Sequence, residues 1–346
     1  MKQHEREYFV SRIRTGLYFI KDEELTLKIL TPTIQEEFEL NDIYQNAYEQ
    51  ARIDNFMTED EMLEWMKEKN IWTQEDEDKI EGLKKDIEKL KVEIFNAKNN
   101  ESLREKIRLY IRAGEKQLAK YIDKKNTYQS NTCEGIASIE KMYAFLKKCT
   151  YFNNKLYHFK ELTIEYILYL FQLSILNESK IREIARNEPW RSMWIFKDFK
   201  DTKLFLNQDR ELSTDQRNLI VWSQMYDNVQ ESLDCPSQDV IEDDDMLDGW
   251  FILQKRKRDK DKAEAELENS VSNEKIKNSS EVYMMAGSNK DAQRVNNMND
   301  VGGKIIKQQR FNTIYSKGEV SQLDFQDEKL KLTQQSNQMF KDHFRR

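Results

Sequence analysis

The sequence predicts a mainly α-helical protein with a small β element near its start. Only three prolines and nine glycines occur in 346 residues, so little interrupts long helices. Two capping-box signals, Thr58 with Glu61 and Thr73 with Asp76, precede stretches of periodic apolar residues. Charged residues make up 34% and hydrophobic residues 38% of the chain. This low apolar share predicts elongated helices, small cores, or a part that folds only against partners.

The first region, residues 1–57, is predicted to begin with strands rather than with a helix. The segments Leu17–Ile20 and Leu25–Leu30 are apolar and lie between turn signals, and the second alternates with strand period. They predict a β-hairpin or a three-stranded meander within the first 30 or so residues, closed by Pro32. A helix is predicted from Ile34 to Ile53.

The second region, residues 58–130, is predicted to be a helical hairpin with an antiparallel coiled coil over about residues 74–126. The seam of its first helix repeats at 3.5-residue period and consists of Ile80, Leu83, Ile87, Leu90 and Ile94. A polar break, Asn96–Ser102, precedes a second apolar series, which consists of Leu103, Ile107, Tyr110, Ile111, Leu118 and Ile122. A single long helix that frays at the break is the alternative interpretation.

The third region, residues 131–254, is predicted to be a helical domain. Its most apolar run, Tyr166–Leu176, is too short to span a membrane and predicts a buried helix. Trp190, Arg191 and Trp194 follow Pro189 closely. The two tryptophans could pack one helical face, or the three residues could form a partner-docking spot, because tryptophan and arginine carry much of the energy of interfaces.

The fourth region, residues 255–346, is predicted to be a charged polar tail. It holds few large apolar residues and cannot bury much surface alone. We therefore expect it to be flexible, or to become ordered against partners.

The segment around residue 245 is the strongest candidate for a docking site. Six carboxylates lie between Asp239 and Asp248, and those singled out are Asp243, Asp244, Asp245 and Asp248. An apolar patch with Trp250 and Phe251 follows, and a basic block from Lys255 and Arg256 to Lys262 carries a net charge of +4. An aromatic anchor between opposite charges suits docking to another protein. Burial of the aromatic residues in the core is the alternative.

The chemistry of known active sites finds little support in the residues. Counted from Asp243, the calcium-loop pattern fails at its sixth and twelfth positions, which hold Asp248 and Gln254. No phosphate-binding glycine loop or nucleophile elbow occurs, and His158 is the only histidine away from the termini. The three cysteines are widely spaced and are expected to be reduced. No catalytic residue, cofactor or metal ligand is therefore predicted.

Charge and hydropathy narrow the expected partners. The net charge of -7 argues against a general nucleic-acid binder, because neutralising phosphates needs a basic surface. The beginning of the chain has no apolar signal-peptide core, and no apolar stretch is long enough for a membrane span. Other protein subunits are the expected partners, and a homo-oligomer remains open.

Three segments resemble a class of proteins from large tailed bacteriophages. They are "NEPWRSMW" (187–194), "VWSQMYDNVQESLDCP" (221–236) and "VIEDDDMLDGWFILQ" (240–254), and a polar helical tail follows them. The resemblance covers about residues 180–260 and implies a virion structural protein or a tail or baseplate assembly component. It also implies a location in the host cytoplasm during assembly, with a place in the virion left open.

The expected function is thus that of a non-enzymatic phage structural or assembly protein that acts through protein–protein contacts. Two alternatives remain. One is a nucleic-acid-associated regulator that uses the basic block after Lys255. The other is a metal-dependent enzyme that uses the cluster from Asp243 to Asp248.

Overall fold

The computed structural model describes residues 1–22, 25–197, 203–207 and 209–270, together with residues 293, 296, 307–312 and 315. These residues are mainly helical, with a small four-stranded antiparallel sheet. The helices are α1 (Gln3–Thr15), α2 (Ile34–Ile53), α3 (Glu59–Glu68), α4 (Gln74–Asn96), α5 (Glu101–Lys125), α6 (Cys133–Cys149), α7 (Ile164–Ser174), α8 (Glu178–Arg186), α9 (Trp190–Ile195), α10 (Thr214–Glu231), α11 (Gln238–Glu242) and α12 (Asp244–Ser270). The strands are β1 (Tyr18–Asp22), β2 (Leu25–Ile29), β3 (Thr150–Phe152) and β4 (Lys155–Leu156).

The prediction that the chain starts without a helix is wrong. Helix α1 precedes the first strand, and Gly16 caps its C-terminal end. The φ of 67° at Gly16 lets its amide donate to the Ile13 carbonyl at 2.9 Å. Arg12, near the end of α1, is buried and forms an ion pair with the buried Asp215 of α10. The Asp215 carboxylate also accepts from the Leu176 amide at 3.1 Å. A polar helix is thus held by a charged contact 203 residues away in sequence.

The sheet contains more of the chain than the predicted hairpin. β1 and β2 pair as an antiparallel hairpin, one of the two forms that the sequence predicts, and Tyr18 lies opposite Ile29. β3 and β4 extend the sheet in the order β1-β2-β3-β4, and the turn between them uses Asn153 and Asn154, both with positive φ. One sheet face packs on α6 and α7 and forms a core that includes Leu27, Ile29, Leu146, Ile167 and Phe171.

Helices α4 and α5 form the predicted helical hairpin. The start of α4 contacts the end of α5, since Lys124 Nζ lies 2.7 Å from Asp76 Oδ2 and Lys125 Nζ lies 2.6 Å from Glu77 Oε1. The two helices therefore run antiparallel. The buried residues between them include Ile80, Ile87 and Ile94 of α4 with Ile107 and Ile111 of α5. The coiled-coil character of the pair stays a prediction.

Several apolar residues predicted for the hairpin core are exposed or only partly buried, and of these Leu90 still packs against that core. Leu103, Tyr110 and Ile122 of α5 are exposed, while Leu83 and Leu90 of α4 are half-buried. The heptad spacing identifies the correct face of α4, whereas the apolar series predicted for α5 includes three exposed residues.

Both predicted capping boxes and the predicted helix of the first region are present. The Thr58 hydroxyl accepts from the Glu61 amide at 3.3 Å, and the Thr73 hydroxyl accepts from the Asp76 amide at 3.3 Å. Helix α2 has the predicted bounds, Ile34–Ile53. These short-range signals succeed because all of their hydrogen-bond partners lie within one helical turn.

Helix α12 crosses the boundary predicted at residue 255, because it continues to Ser270. By contacts, the chain divides into two compact units, Met1–Lys260 and Asp261–Arg346. Most of the predicted tail, from residue 271 onward, lies outside the described residues.

Candidate functional site

The acidic segment forms the beginning of helix α12. Asp243 caps this helix, because its Oδ1 accepts from the amides of Asp245 at 3.2 Å and Met246 at 3.3 Å. Asp244, Asp245 and Asp248 follow in the first two turns of the helix. Carboxylates are favourable there because they complement the unpaired amides and the dipole of the helix N-terminus.

Two of these carboxylates contact helix α5 of the hairpin. The Arg108 guanidinium of α5 bonds Asp243 and also places its Nε 3.0 Å from Asp245 Oδ2. Arg104, one turn earlier on α5, places its Nη1 3.8 Å from Asp243 Oδ2. The Asp243 carboxylate therefore forms ion pairs with two arginines and caps a helix at the same time.

The other two carboxylates contact α8, and Asp248 also contacts α4. Asp248 lies between two cations, with Arg182 Nη2 at 2.7 Å and Lys91 Nζ at 2.8 Å. Asp244 bonds the Arg186 guanidinium and lies 3.4 Å from Arg182 Nε. We call these four aspartates and their five cationic partners the charge clamp; its cations are Lys91, Arg104, Arg108, Arg182 and Arg186.

The charges within this clamp raise the pKa of Lys91, Arg108 and Arg182. Burial disfavours the charged forms of Lys91 and Arg182, but the Asp248 carboxylate outweighs it and raises the pKa of both groups. Burial likewise opposes the charge of Arg108, yet Asp243 raises its pKa. These three cations of the clamp therefore stay ionised in spite of burial.

Apolar residues of the same segment lie beneath the clamp and join two cores. Val240 and Met246 pack in the core of the α4–α5 hairpin, whereas Ile241, Leu247 and Trp250 pack in the core with α8 and α10. All five side chains are buried. The acidic segment therefore links the hairpin to the helical domain through apolar packing as well as charge.

Gly249 allows helix α12 to approach α4 closely. A Cβ atom at this position would lie 2.2 Å from the Lys91 carbonyl oxygen and 2.9 Å from Phe95 Cβ. Both distances are shorter than van der Waals contact, so a larger residue would force the helices apart. Close packing against α4 therefore explains why a glycine lies inside the apolar patch.

The predicted docking spot around Trp190 is an interface between α9 and α10 of the same chain. Trp190 is fully buried and donates to Ser223 Oγ at 2.8 Å, and Trp194 donates to Asp227 Oδ2 at 2.7 Å. Arg191 Nη2 lies 2.6 Å from Asp227 Oδ1. The residue types of an interface are present, but their partner is α10, and the packing interpretation replaces that of an exposed docking spot.

The aromatic anchor of the acidic segment is likewise internal. Trp250 is buried and donates to the Asp234 carbonyl at 3.2 Å, and the half-buried Phe251 contacts it edge-on at 5.4 Å between ring centroids. Their expected role as an exposed anchor is corrected, because their rings complete a core. In contrast, every residue of the basic block from Lys255 to Lys262 is exposed.

The four aspartates considered as metal ligands and His158 are not arranged as an active site. Each of the four aspartates of the clamp faces a lysine or an arginine rather than a common centre. Within the part of the chain that is described, no three histidine, cysteine or acidic side chains are grouped as metal ligands would be. His158 lines an open cavity of about 540 Å³ beside β4 with Lys147, Tyr157 and Phe159.

Among the described residues, none of the helices has both the length and the apolar character needed to cross a membrane.

Comparison of the chain with models of known protein families, with curated proteins and with solved structures gives no match. The candidate site is therefore defined by its own geometry: a clamp that ties a helical hairpin to a helical domain, followed by an exposed basic segment on the same helix.

Proposed function

We propose that this chain is a non-enzymatic structural or assembly protein that acts through contacts with other proteins, as components of tailed-phage particles do. One observation carries the proposal. The charge clamp and the adjacent apolar cores hold the first two turns of α12 against α4, α5 and α8. The exposed block Lys255–Lys262 directly continues the same helix. A helix held at one end is a preorganised docking element.

The charge of the block indicates an acidic partner surface. It carries six positive and two negative charges. Lys257 Nζ lies 2.6 Å from Asp234 Oδ2, and Arg256 Nη2 lies 3.7 Å from Glu88 Oε2, so both basic side chains already form ion pairs within the first compact unit. Exposed ion pairs such as these contribute little stability and exchange readily for those of a partner.

The test is co-purification of the tagged full chain from phage-infected cells and from purified particles, with mass spectrometry of the stable complexes. The proposal predicts phage structural proteins at fixed stoichiometry. A variant with Lys255, Arg256, Lys257 and Arg258 changed to Gln should lose them. A control variant changes four exposed lysines elsewhere in the chain to Gln and should keep the phage proteins. The control positions are Lys67, Lys69, Lys155 and Lys160. Absence of the chain from the particles, together with absence of phage proteins from its complexes, would overturn the proposal.

The second candidate function is association with nucleic acid through the same exposed basic block. It predicts binding of the purified chain to a DNA duplex that weakens with salt, at a slope of about −0.9 per phosphate neutralised. The four-residue Gln variant should remove that binding. Fluorescence anisotropy at two salt concentrations separates this candidate from the first, which predicts no such binding.

The third candidate, a metal-dependent enzyme, would need the aspartates of the clamp to change partners. A divalent cation would have to displace Arg186 from Asp244 and Arg108 from Asp245. Isothermal titration with Mg²⁺ or Mn²⁺ tests it directly. Tight binding that Asp244→Asn and Asp245→Asn abolish would support the enzyme and count against a purely structural role.

A further inference from the structure

We propose that the open face of the α4–α5 hairpin binds the same face of a second copy of this chain, which gives a two-fold dimer with a four-helix core. The proposal rests on the proposed function, because it names one partner of an assembly protein. The face, called here the hairpin face, consists of Leu90, Glu93, Leu103, Lys106 and Tyr110.

One flank of the hairpin is already covered by α12. Lys91 and Phe95 of α4 face Asp248 and Gly249, and Arg104 and Arg108 of α5 face Asp243. The buried isoleucines of each helix lie next to this flank. At 100° per residue, the hairpin face lies on the other side of those isoleucines from α12.

The hairpin face carries two exposed apolar side chains, Leu103 and Tyr110, beside Leu90, which packs in part against the hairpin core. Tyr110 is 66% exposed, Leu103 is 44% exposed, and Leu90 is half-buried. They lie near the loop end of the hairpin, on both helices. An antiparallel helix pair with an exposed apolar stripe has the arrangement of half a four-helix bundle.

Charge complementarity identifies the occupant as a second copy. Glu93 lies at the α4 edge of the hairpin face and Lys106 at its α5 edge, and both are exposed. Neither forms an ion pair within the part of the chain that the structure describes. An apolar stripe between an acidic edge and a basic edge is complementary to itself when one copy is turned over onto the other.

The register of the hairpin selects one orientation of the two copies. Asp76 pairs with Lys124, and Gly114 faces Ile87, so Glu93 and Lys106 lie at nearly the same height along the hairpin. A two-fold axis parallel to the helices places α4 of one copy over α5 of the other at equal heights. Glu93 of each copy then meets Lys106 of the other. A perpendicular axis would place α4 over α4 and lose both pairs.

The first experiment is sedimentation-velocity centrifugation of the full chain over a hundredfold range of concentration. The proposal predicts a dimer whose dissociation constant rises at least tenfold in Tyr110→Asp. The matched control is Leu109→Asp, because Leu109 is 64% exposed but points away from α4. The control should dimerise as the wild type does. A monomer at all concentrations, or equal effects of the two substitutions, would overturn the proposal.

A charge exchange tests the orientation. Each substitution counts twice in a two-fold dimer, so Glu93→Lys alone and Lys106→Glu alone should each weaken association about tenfold. The double variant restores both pairs and should return to within about threefold of the wild type. A double variant weaker than either single variant would rule out the pairing. These measurements use purified protein only, so their failure would leave the co-purification test of the proposed function intact.

Discussion

Replacement of Arg182 by methionine should destabilise the protein strongly. This side chain is only 5% exposed, and its guanidinium bonds Asp248 Oδ1 at 2.7 Å while its Cζ lies 4.1 Å from the ring centroid of Trp222. Methionine fills a similar volume but leaves the two carboxylates of Asp244 and Asp248 with fewer partners. The substitution thus isolates the charge from the packing.

The expected loss in unfolding free energy depends on which cations still pair with Asp244 and Asp248 after the substitution. Breaking a buried ion pair costs about 3–5 kcal/mol when the remaining charge is left uncompensated. Here Lys91 still neutralises Asp248 and Arg186 still neutralises Asp244, so the lower end of the range applies. Loss of the cation–π contact adds about 1 kcal/mol, but removal of a desolvated cation offsets some of that. We expect the free energy of unfolding to fall by about 3 kcal/mol.

Unfolding in urea, monitored by far-UV circular dichroism and by tryptophan fluorescence, measures this change. Arg182→Lys should lose about half as much, because an ammonium keeps the charge but cannot form the forked contact with two carboxylates. Lys255→Met, on the exposed part of the same helix, should stay within about 0.5 kcal/mol of the wild type. The reasoning fails if Arg182→Met loses no more than the Lys255 control.

Two further predictions concern the hairpin. Gly249→Ala should destabilise the protein by about 3 kcal/mol, because its Cβ would lie 2.2 Å from the Lys91 carbonyl oxygen. This clash outweighs the better helix propensity of alanine. At Gly82 an added Cβ would have no atom within 4 Å, so Gly82→Ala should instead raise stability by about 0.5–1 kcal/mol. Thermal unfolding of the two variants compares them, and equal signs would contradict the close approach of α12 to α4. Hydrogen bonds from Lys124 and Lys125 lower the pKa of Asp76 and Glu77 below their ordinary values of 3.8 and 4.5, so these pairs stabilise the fold above those values and lose their effect as the pH falls below them. The stability difference between the wild type and the variant with Lys124→Met and Lys125→Met should therefore shrink from pH 7 to pH 3, and a difference independent of pH would contradict this origin.

Local patterns in the sequence predict the local structure well. Helix α2, both capping boxes and the hairpin of α4 and α5 depend on residues a few positions apart. Helix α1 could not be predicted in this way, because its buried Arg12 depends on Asp215 of α10. Strands β3 and β4 are too short to show a period, although the Asn153–Asn154 dipeptide is a turn signal that could have indicated them.

The candidate site shows a different limit of sequence reasoning. Trp190, Arg191 and the aspartates of the clamp have the chemistry of an interface, and each of them does lie at one. Composition identifies residues suited to binding, but it does not tell whether their partner belongs to the same chain. The cations of the clamp come from three helices, between 58 and 157 residues away in sequence, so no local pattern could pair them with the aspartates.

A double-mutant cycle on Arg108 and Asp243 tests most directly whether the acidic segment binds within its own chain. The cycle compares the unfolding free energies of the wild type, Arg108→Met, Asp243→Asn and the double variant in urea. We predict a coupling energy of about 1.5–3 kcal/mol, because the two side chains bond directly between the hairpin and α12. A coupling of zero would mean that the two groups do not meet in solution, and would contradict the charge clamp.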